Sequence, residues 1–378
     1  MELAWDTLDQ QAMELCLRLA ALGRLSAPPN PMVGAVVVQD EEIVGQAFHR
    51  AAGESHAEIL ALQQAGERAR GATLYINLEP CCHQGRTPPC APRLVEAGLA
   101  RVVVGTRDPD PRVRGGGIQL LRAAGVQVQG CPDPWTERCL ELNRHFIHAA
   151  LKQRPFVTLK YAMTLDGRVA TGTGDSRWIS GPASRQQVHG ERSQHQAIVV
   201  GSGTALADDP HLNVRGVVNA PQPVRIVLDR RGRLSPLARL FNAPGGAIWV
   251  GYGELAEETW KEQIRQAGGE LFAAPDLATT LTYLKTQGVQ SLLLEGGPQL
   301  AGAFLDQGLV QRLLVYVAPV LVGAHNAPGP LAGQGVAWMR EAHRLKHTHW
   351  AQIDEDWVLD GELDNDWRAF QARCSDTP

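Results

Sequence analysis

Leu78-Glu79-Pro80-Cys81-Cys82-His83-Gln84-Gly85-Arg86-Thr87-Pro88-Pro89-Cys90 is the stretch on which the reading of this chain turns. It begins at the end of Thr73 to Leu78, a run suited to a strand, and crowds three of the chain's seven cysteines into ten positions. An odd cysteine count in a long chain with no secretory signal at Met1 to Asp9 suits a metal or catalytic cluster better than a disulfide framework. Upstream, His56-Ala57-Glu58 opens a predicted helix from Ser55 to about Ala65. A His and a Glu two apart, then a Pro-Cys and a further Cys, form the set that zinc-dependent hydrolysis of an amine on a nucleobase requires. Two thiolates and an imidazole hold Zn²⁺ and leave one position for a water whose pKa falls towards ~7. A carboxylate that is not a ligand must carry that water's proton to the departing amine, and Glu58 is the candidate. Because Gln84 stands three after Cys81, there is no Cys-x-x-Cys, and adjacent Cys81 and Cys82 would not readily share one small ion. Cys81 with Cys90, closed by the Pro88-Pro89 turn, is the better pair. A structural zinc site with His83 as fourth ligand stays open, and each of these residues taken singly is ordinary surface or packing.

Working outward, helical spacing from Leu8 to Leu22 stops before Pro28-Pro29-Asn30-Pro31. Strands are expected at Val33 to Val38, Val102 to Val104 and Val126 to Val128, and helices at Ala91 to Ala97, Gly117 to Ala124 and, as one long element, Pro132 to about Leu151. After Lys152-Gln153-Arg154-Pro155 a second alternation begins, with strands at Phe156 to Leu159, Ala197 to Val200, Val224 to Leu228, Ala247 to Val250, Ser291 to Leu294 and Leu313 to Val317. This is α/β twice over, with domains at 1–150 and 151–378 and no internal repeat.

With Asn30-Pro31-Met32-Val33-Gly34-Ala35-Val36-Val37-Val38 added to His56-Ala57-Glu58 and the Leu78 to Cys90 stretch, the first half resembles the deaminase domain of the bifunctional riboflavin-biosynthesis deaminase/reductases. In that family the long spacer between the two cysteines is the rule. The resemblance implies a cytidine-deaminase-like three-layer domain in which His56, Cys81 and Cys90 hold one zinc, Glu58 is the proton shuttle, and Asn30, His83 and Arg86 face the pyrimidine and its ribose phosphate. Asp108-Pro109-Asp110-Pro111 departs from the family's usual Asp-Pro-Asn-Pro, exchanging two amide donors for a charge at Asp110.

In the second half, Gly201-Ser202-Gly203-Thr204-Ala205-Leu206 only half-matches a dinucleotide fingerprint, since Leu206 occupies the third glycine's place. Arg230 and Arg231, after Asp229, could meet a 2′-phosphate or could be exposed turn residues. Leu292-Leu293-Leu294-Glu295-Gly296-Gly297-Pro298 runs from a buried strand into small residues and a helix, a place where an anion can approach free N–H groups. Lys160 to Arg168, Gly174 to Ser180, Ala207 to Arg215 and Glu295 to Pro298 resemble the same family's reductase domain, in the same order. That resemblance implies a dihydrofolate-reductase-like fold using NADPH. Ala162, Trp178, Thr204, Asp208 and the turn Gly297, Pro298, Gln299, Leu300, Ala301, Gly302 and Ala303 would contact the dinucleotide. Ser176, Arg192, Leu212, Arg215 and Glu295 would hold the substrate, the arginines suiting its phosphate. Thr164 stands where Ser is usual and Asn213 where Thr is usual. The proton of the reduction could come from substrate, water or Asp208.

Formal net charge is -4 from 36 basic and 40 acidic residues, which removes the simplest argument for a nucleic-acid binder. No window approaches a ~20-residue apolar span, so no membrane partner is expected. The expectation is a cytoplasmic enzyme, assembled as a homo-oligomer, acting on a small pyrimidine ribosyl phosphate. A nucleoside or RNA deaminase fused to an unrelated domain, a zinc-stabilised module without turnover, and a chain with an active reductase alone are the rivals. His343, His347 and His349 read as a solvated strand or loop rather than a metal site.

Overall fold

A computed structural model describes residues 5–24, 26–85, 87–363, 367, 368 and 370. The described chain forms two compact units, one up to Gln153 together with Trp367, Arg368 and Phe370, the other from Arg154 to Leu363.

The first unit contains α1 (Thr7–Leu22), β1 (Gly34–Gln39), β2 (Glu42–Phe48), α2 (Ala57–Ala65), β3 (Thr73–Ile76), α3 (Cys90–Glu96), β4 (Arg101–Val104), α4 (Gly116–Ala123), β5 (Gln127–Gly130), α5 (Trp135–Leu142) and α6 (Arg144–Lys152). Its sheet order is β2-β1-β3-β4-β5, with β3, β4 and β5 parallel and β1 antiparallel to both neighbours. Side chains alternate across a strand. Ala35, Val37, Leu74, Ile76, Val102 and Val104 therefore pack on the side of α2 and α4. Val36, Val38, Tyr75 and Val103 pack on the other side with α1 and α5. Three layers follow from that period of two.

The helix expected from Pro132 to about Leu151 is broken. α5 ends at Asn143, whose side chain both accepts from the Met32 N–H (2.8 Å) and donates to the Met32 carbonyl (2.9 Å). Asn143 thereby completes a backbone segment that would otherwise lack partners, and Asn77 serves the same segment through Gly34 N–H and Met32 C=O.

The second unit contains β6 (Phe156–Thr164), α7 (Pro182–Ser193), β7 (Ala197–Gly201), α8 (Ser202–Asp208), β8 (Val224–Asp229), α9 (Arg239–Asn242), β9 (Ile248–Tyr252), α10 (Glu258–Gln266), β10 (Gly269–Ala273), α11 (Leu277–Thr286), β11 (Ser291–Leu294), α12 (Pro298–Asp306), β12 (Arg312–Ala318), β13 (Lys346–Ile353) and β14 (Asp356–Glu362). The sheet order is β10-β9-β8-β7-β11-β6-β12-β14-β13, parallel from β10 through β12 and closed by an antiparallel hairpin. The central strands are apolar on both faces, as parallel strands covered by helices must be: Ala197, Val199, Leu292 and Leu294 lie in one core, Ile198, Val200 and Leu293 in the other. All parallel strands end on one edge, where polar residues can escape the core.

Two places differ from the sequence reading. β10 and β14 are strands that the sequence reading does not give; β13, which contains His347 and His349 and reads from sequence as a solvated strand or loop, is a strand and mostly exposed, so it carries no apolar run. The segment after residue 365 was placed with the second domain, yet Trp367 is fully buried, Arg368 bonds Glu137 at 2.5 Å, and the Arg114 guanidinium lies 5.3 Å from the Phe370 ring centroid. These contacts and neighbours belong to the first unit.

Gly45 in β2 lets α2 lie directly on the sheet, because a Cβ there would run into the Ala61 carbonyl and the Ala65 nitrogen. Gly45→Ala is expected to destabilise the first unit by roughly 1–3 kcal/mol, the usual cost of overpacking. Urea unfolding together with bound zinc would measure it; unchanged stability would show that α2 can back away freely.

Candidate functional site

His56 sits immediately before α2 in extended backbone and Glu58 in that helix's first turn. Cys90 is the first residue of α3, and the Cys81 carbonyl accepts the N–H groups of Cys90 (3.1 Å) and Ala91 (3.0 Å), closing the intervening loop. His56 Nδ1 lies 3.1 Å from the Cys90 sulfur and 3.6 Å from the Cys81 sulfur. One donor atom from each of His56, Cys81 and Cys90 falls within 4.8 Å of the others, and His83 does not join this group. The set therefore has three protein ligands, the number that leaves a position open on a tetrahedral ion. Cys82 points elsewhere, its sulfur 3.6 Å from the Arg112 carbonyl.

Two observations fit a divalent cation here. The Cys90 backbone N–H donates to the Cys81 sulfur at 3.3 Å, and the closeness of the two sulfurs pulls Cys81 down to about 4 and pushes Cys90 far above a free thiol, so the pair holds on to one proton. A zinc ion would take that proton's place and accept both sulfurs as thiolates. The second is Glu58, buried and raised above the usual carboxyl range by that burial, whose Oε2 has no hydrogen-bond partner among the described residues. A buried carboxylate oxygen without a partner belongs where a reacting group arrives.

Of the substrate candidates, Asn30 is brought to the centre through a residue that the sequence reading missed. Its Nδ2 lies 3.0 Å from His49 Nε2, His49 Nδ1 is 3.3 Å from the Ser55 carbonyl, and the His49 ring stands edge-on to His56 at 5.3 Å. His83 is half-buried and its Nδ1 has no hydrogen-bond partner among the described residues; Arg86 lies outside them. Glu79, also missed, accepts N–H groups of Asp108 (3.2 Å), Gly115 (2.9 Å) and Ile118 (3.2 Å) and so ties the Asp108 loop and the start of α4 to the cysteine segment. Burial pushes Asp108 up to about 7, while Arg112 holds Asp110 down in a two-pronged ion pair. The charge that Asp110 introduces is thus matched two residues away.

The second unit holds a cleft of about 1710 Å³ along the shared strand-end edge. It is lined by Ala162, Ser176, Trp178, Arg192, Thr204, Asp208, Leu212, Arg215, Glu295, Gly297, Pro298, Gln299, Leu300 and Ala303. Ala301 and Gly302, expected to contact the dinucleotide, do not reach it. On α12 the cleft face recurs at Leu300, Ala303 and Gln307, whereas Ala301 turns into the core and Gly302 packs on the Ala332–Gly333 backbone. Three of the five Arg192 N–H donors are engaged within the protein: Nε and Nη2 bind Glu295 at 2.7 Å and Nη1 donates to the Asn213 carbonyl, which leaves one N–H on each Nη at the cleft. Burial alone would raise Glu295, but Arg192 and, more weakly, Lys160 outweigh it and hold the carboxyl at about 2. Lys160 and His189 face the same cleft and were not singled out as site residues, having no pattern beyond their neighbours in the chain.

Residues 6–106 match the model of the cytidine and deoxycytidylate deaminase zinc-binding region, and residues 155–359 match that of the RibD C-terminal domain. Together these define a zinc deaminase joined to a reductase. The chain is 39% identical to the riboflavin biosynthesis protein RibD of Escherichia coli (strain K12), over 93% of this chain and 98% of that protein, and 39% identical to RibD of Aquifex aeolicus with the same coverage. Among solved structures, Acinetobacter baumannii RibD superposes with a TM-score of 0.85 at 38% identity, covering 95% of this chain and 99% of that one. The diaminohydroxyphosphoribosylaminopyrimidine deaminase/5-amino-6-(5-phosphoribosylamino)uracil reductase of Thermotoga maritima gives 0.83 at 32%, covering 94% and 99%. The chain belongs to the RibD family: it is a bifunctional enzyme of riboflavin biosynthesis, a zinc-dependent deaminase in its first part and an NADPH-dependent reductase in its second.

Cys90→Ser is expected to strip the purified protein of most of its zinc, and Cys82→Ser to leave it, by elemental analysis. Zinc lost from the Cys82 variant instead would move the ligand set.

Proposed function

We propose that His56, Cys81 and Cys90 hold the zinc and that Glu58 moves the protons of the deamination, with 2,5-diamino-6-(5-phosphoribosylamino)pyrimidin-4-one as substrate. Zinc, when bound, lowers the pKa of a water towards ~7 and so makes a nucleophile available at neutral pH. Glu58 takes a proton from that water as its oxygen bonds to the ring carbon, then gives a proton to the exocyclic nitrogen as the carbon–nitrogen bond breaks and ammonia leaves. Burial raises the Glu58 carboxyl above the usual carboxylate range, which makes it a better proton acceptor than an exposed glutamate. Asn30, His83 and Arg86 hold the pyrimidine and its phosphate.

The observation that carries this reading is the unpartnered, buried Glu58 oxygen beside a three-ligand cluster. Glu58→Gln should keep zinc and lose deamination by about 10²–10⁴, the usual weight of general acid–base catalysis, while reduction of the deaminated compound continues. Ammonia release, NADPH oxidation and zinc content measured together test it; a Gln variant that still deaminates at the parent rate would overturn it.

In the second unit, NADPH, when bound, would supply hydride to the first carbon of the opened ribose, and a proton would complete the ribityl chain. Ala162, Trp178, Thr204, Asp208 and the Gly297 to Leu300 turn with Ala303 receive the dinucleotide; Ser176, Leu212, Arg215 and Glu295 receive the substrate. Arg192 positions Glu295 with two of its N–H groups and offers its remaining two to the substrate phosphate. Lys160 supplies the proton: its ammonium faces the cleft beside Glu295, 5.3 Å from the Tyr316 ring centroid, and burial lowers its pKa, making it a better acid than a surface lysine. Lys160→Met is expected to lower the rate constant of reduction by 10²-fold or more, on the order of a lost general acid, with NADPH affinity little changed. Loss of NADPH binding with an intact rate constant would make Lys160 a binding residue instead. A reducing compartment, the cytoplasm, suits an enzyme that needs two thiolate ligands and NADPH.

A further inference from the structure

Trp367 and Phe370 are in helical conformation three residues apart, which puts both rings on one face, and both are buried in the first unit. Between them, Arg368 lies 4.3 Å from the Trp367 ring centroid and bonds Glu137 of α5 at 2.5 Å, which fixes one end of this segment to that helix. The other end meets the loop between β4 and α4, where the Arg114 guanidinium stands 5.3 Å from the Phe370 ring centroid, within reach of a cation–π attraction. Nη2 of the same guanidinium donates to the Pro109 carbonyl at 2.7 Å, between Asp108 and Asp110. A planar fork seated on a ring aims its N–H groups at one place. Arg114 is otherwise exposed, so without the ring it would exchange rotamers and hold that carbonyl only part of the time.

The loop that Arg114 steadies borders the metal cluster. Asp108, raised first by its burial, is also close enough to Cys81 to feel its charge, and Asp110, held down by Arg112, is close enough to feel His83. Glu79 ties the two ends of the loop, at Asp108 and Gly115, to the cysteine segment, and Cys82 reinforces this with its sulfur 3.9 Å from the Val113 carbonyl. Between those ends the chain bonds largely to itself: the N–H groups of Val113 and Arg114 both return to the Asp110 carbonyl, and Asp108 Oδ1 accepts the Asp110 N–H at 2.8 Å. Where Pro109 and Asp110 stand therefore depends on Arg114, and Arg114 depends on Phe370. The loop contains none of His56, Cys81 and Cys90, so it can shift without releasing the metal.

Resting on the placement of the deamination at the His56, Cys81 and Cys90 cluster, we propose that Phe370, anchored by Trp367 and Arg368, is a positioning residue of that reaction: it steadies Arg114, and Arg114 holds the Asp108 to Gly115 loop as one wall of the deaminase site. The last residues of the chain, made after the whole reductase, thus complete the first active site. The test uses the full, zinc-loaded chain and compares the parent with Phe370→Ala, Phe370→Tyr, Arg114→Ala and the double variant Phe370→Ala/Arg114→Ala. Ammonia release is followed over a range of substrate concentrations, with zinc content, NADPH oxidation on the deaminated compound and the urea midpoint measured on each sample. Phe370→Ala and Arg114→Ala are each expected to lower kcat/KM of deamination about tenfold, chiefly through KM, because a loosened loop misplaces substrate and spares the metal. Zinc content and reduction should stay at parent values, and Phe370→Tyr, which keeps the ring face, should recover most of the loss. The double variant should lose little more than either single one, since both changes remove one contact. Losses that multiply in the double variant, an alanine variant that deaminates as the parent does, or a loss that only tracks missing zinc or unfolded chain would overturn the proposal. A parent chain that holds zinc and releases no ammonia would overturn the reading of the cluster itself, and the proposal with it.

Discussion

A parallel sheet covered on both faces leaves its polar side chains almost nowhere to go except beyond the ends of its strands. Both units obey this constraint. In the first, the cysteine segment and the Asp108 loop follow β3 and β4, and Glu79 joins them with its carboxylate. In the second, Glu295, Gly201 and the Arg230–Arg231 turn follow β11, β7 and β8. The apolar alternation inside the strands and the chemistry outside them are one arrangement, since each strand that buries itself delivers its next residue to the edge.

What could be read from the chain before the fold was known follows from the range of the signals involved. His56, Glu58, Cys81 and Cys90 were legible because their chemistry demands particular residue types within a short span. The central strands were legible because parallel strands need continuous apolar runs. β14 was not, and β13 was legible only as a solvated strand or loop, since that outer strand is largely exposed and its polar sequence satisfies no burial pattern. The break at Asn143 depended on Met32, more than a hundred residues away, whose backbone needs that amide. His49 and Glu79 act through partners distant in sequence in the same way. Ala301 and Gly302 mark where the carried-over turn becomes a helix: Pro298, Gln299 and Leu300 all line the cleft, whereas Ala301 packs in the core and Gly302 against the Ala332–Gly333 backbone.

The two sites handle charge in contrasting ways. At the metal centre the protein holds two sulfurs and a carboxylate close together, an arrangement that stays partly protonated until a cation arrives. At the reductase end the balance is settled within the protein, because Arg192 meets Glu295 with both prongs and keeps it ionised down to about pH 2. The pairing of Asp110 with Arg112 resembles the second case more than the first, and it allows an acid in a place where an amide is usual without leaving a bare charge beside His83.

Trp367, Arg368 and Phe370 have a consequence for how the molecule comes into being. They belong to the first unit, yet they are made only after the whole of the second has been synthesised. During translation, where domains fold as they emerge, the deaminase half must wait some two hundred residues for a buried tryptophan of its own. The half that the ribosome begins first is the half that it completes last, so cutting the gene between the two activities would not yield two intact proteins.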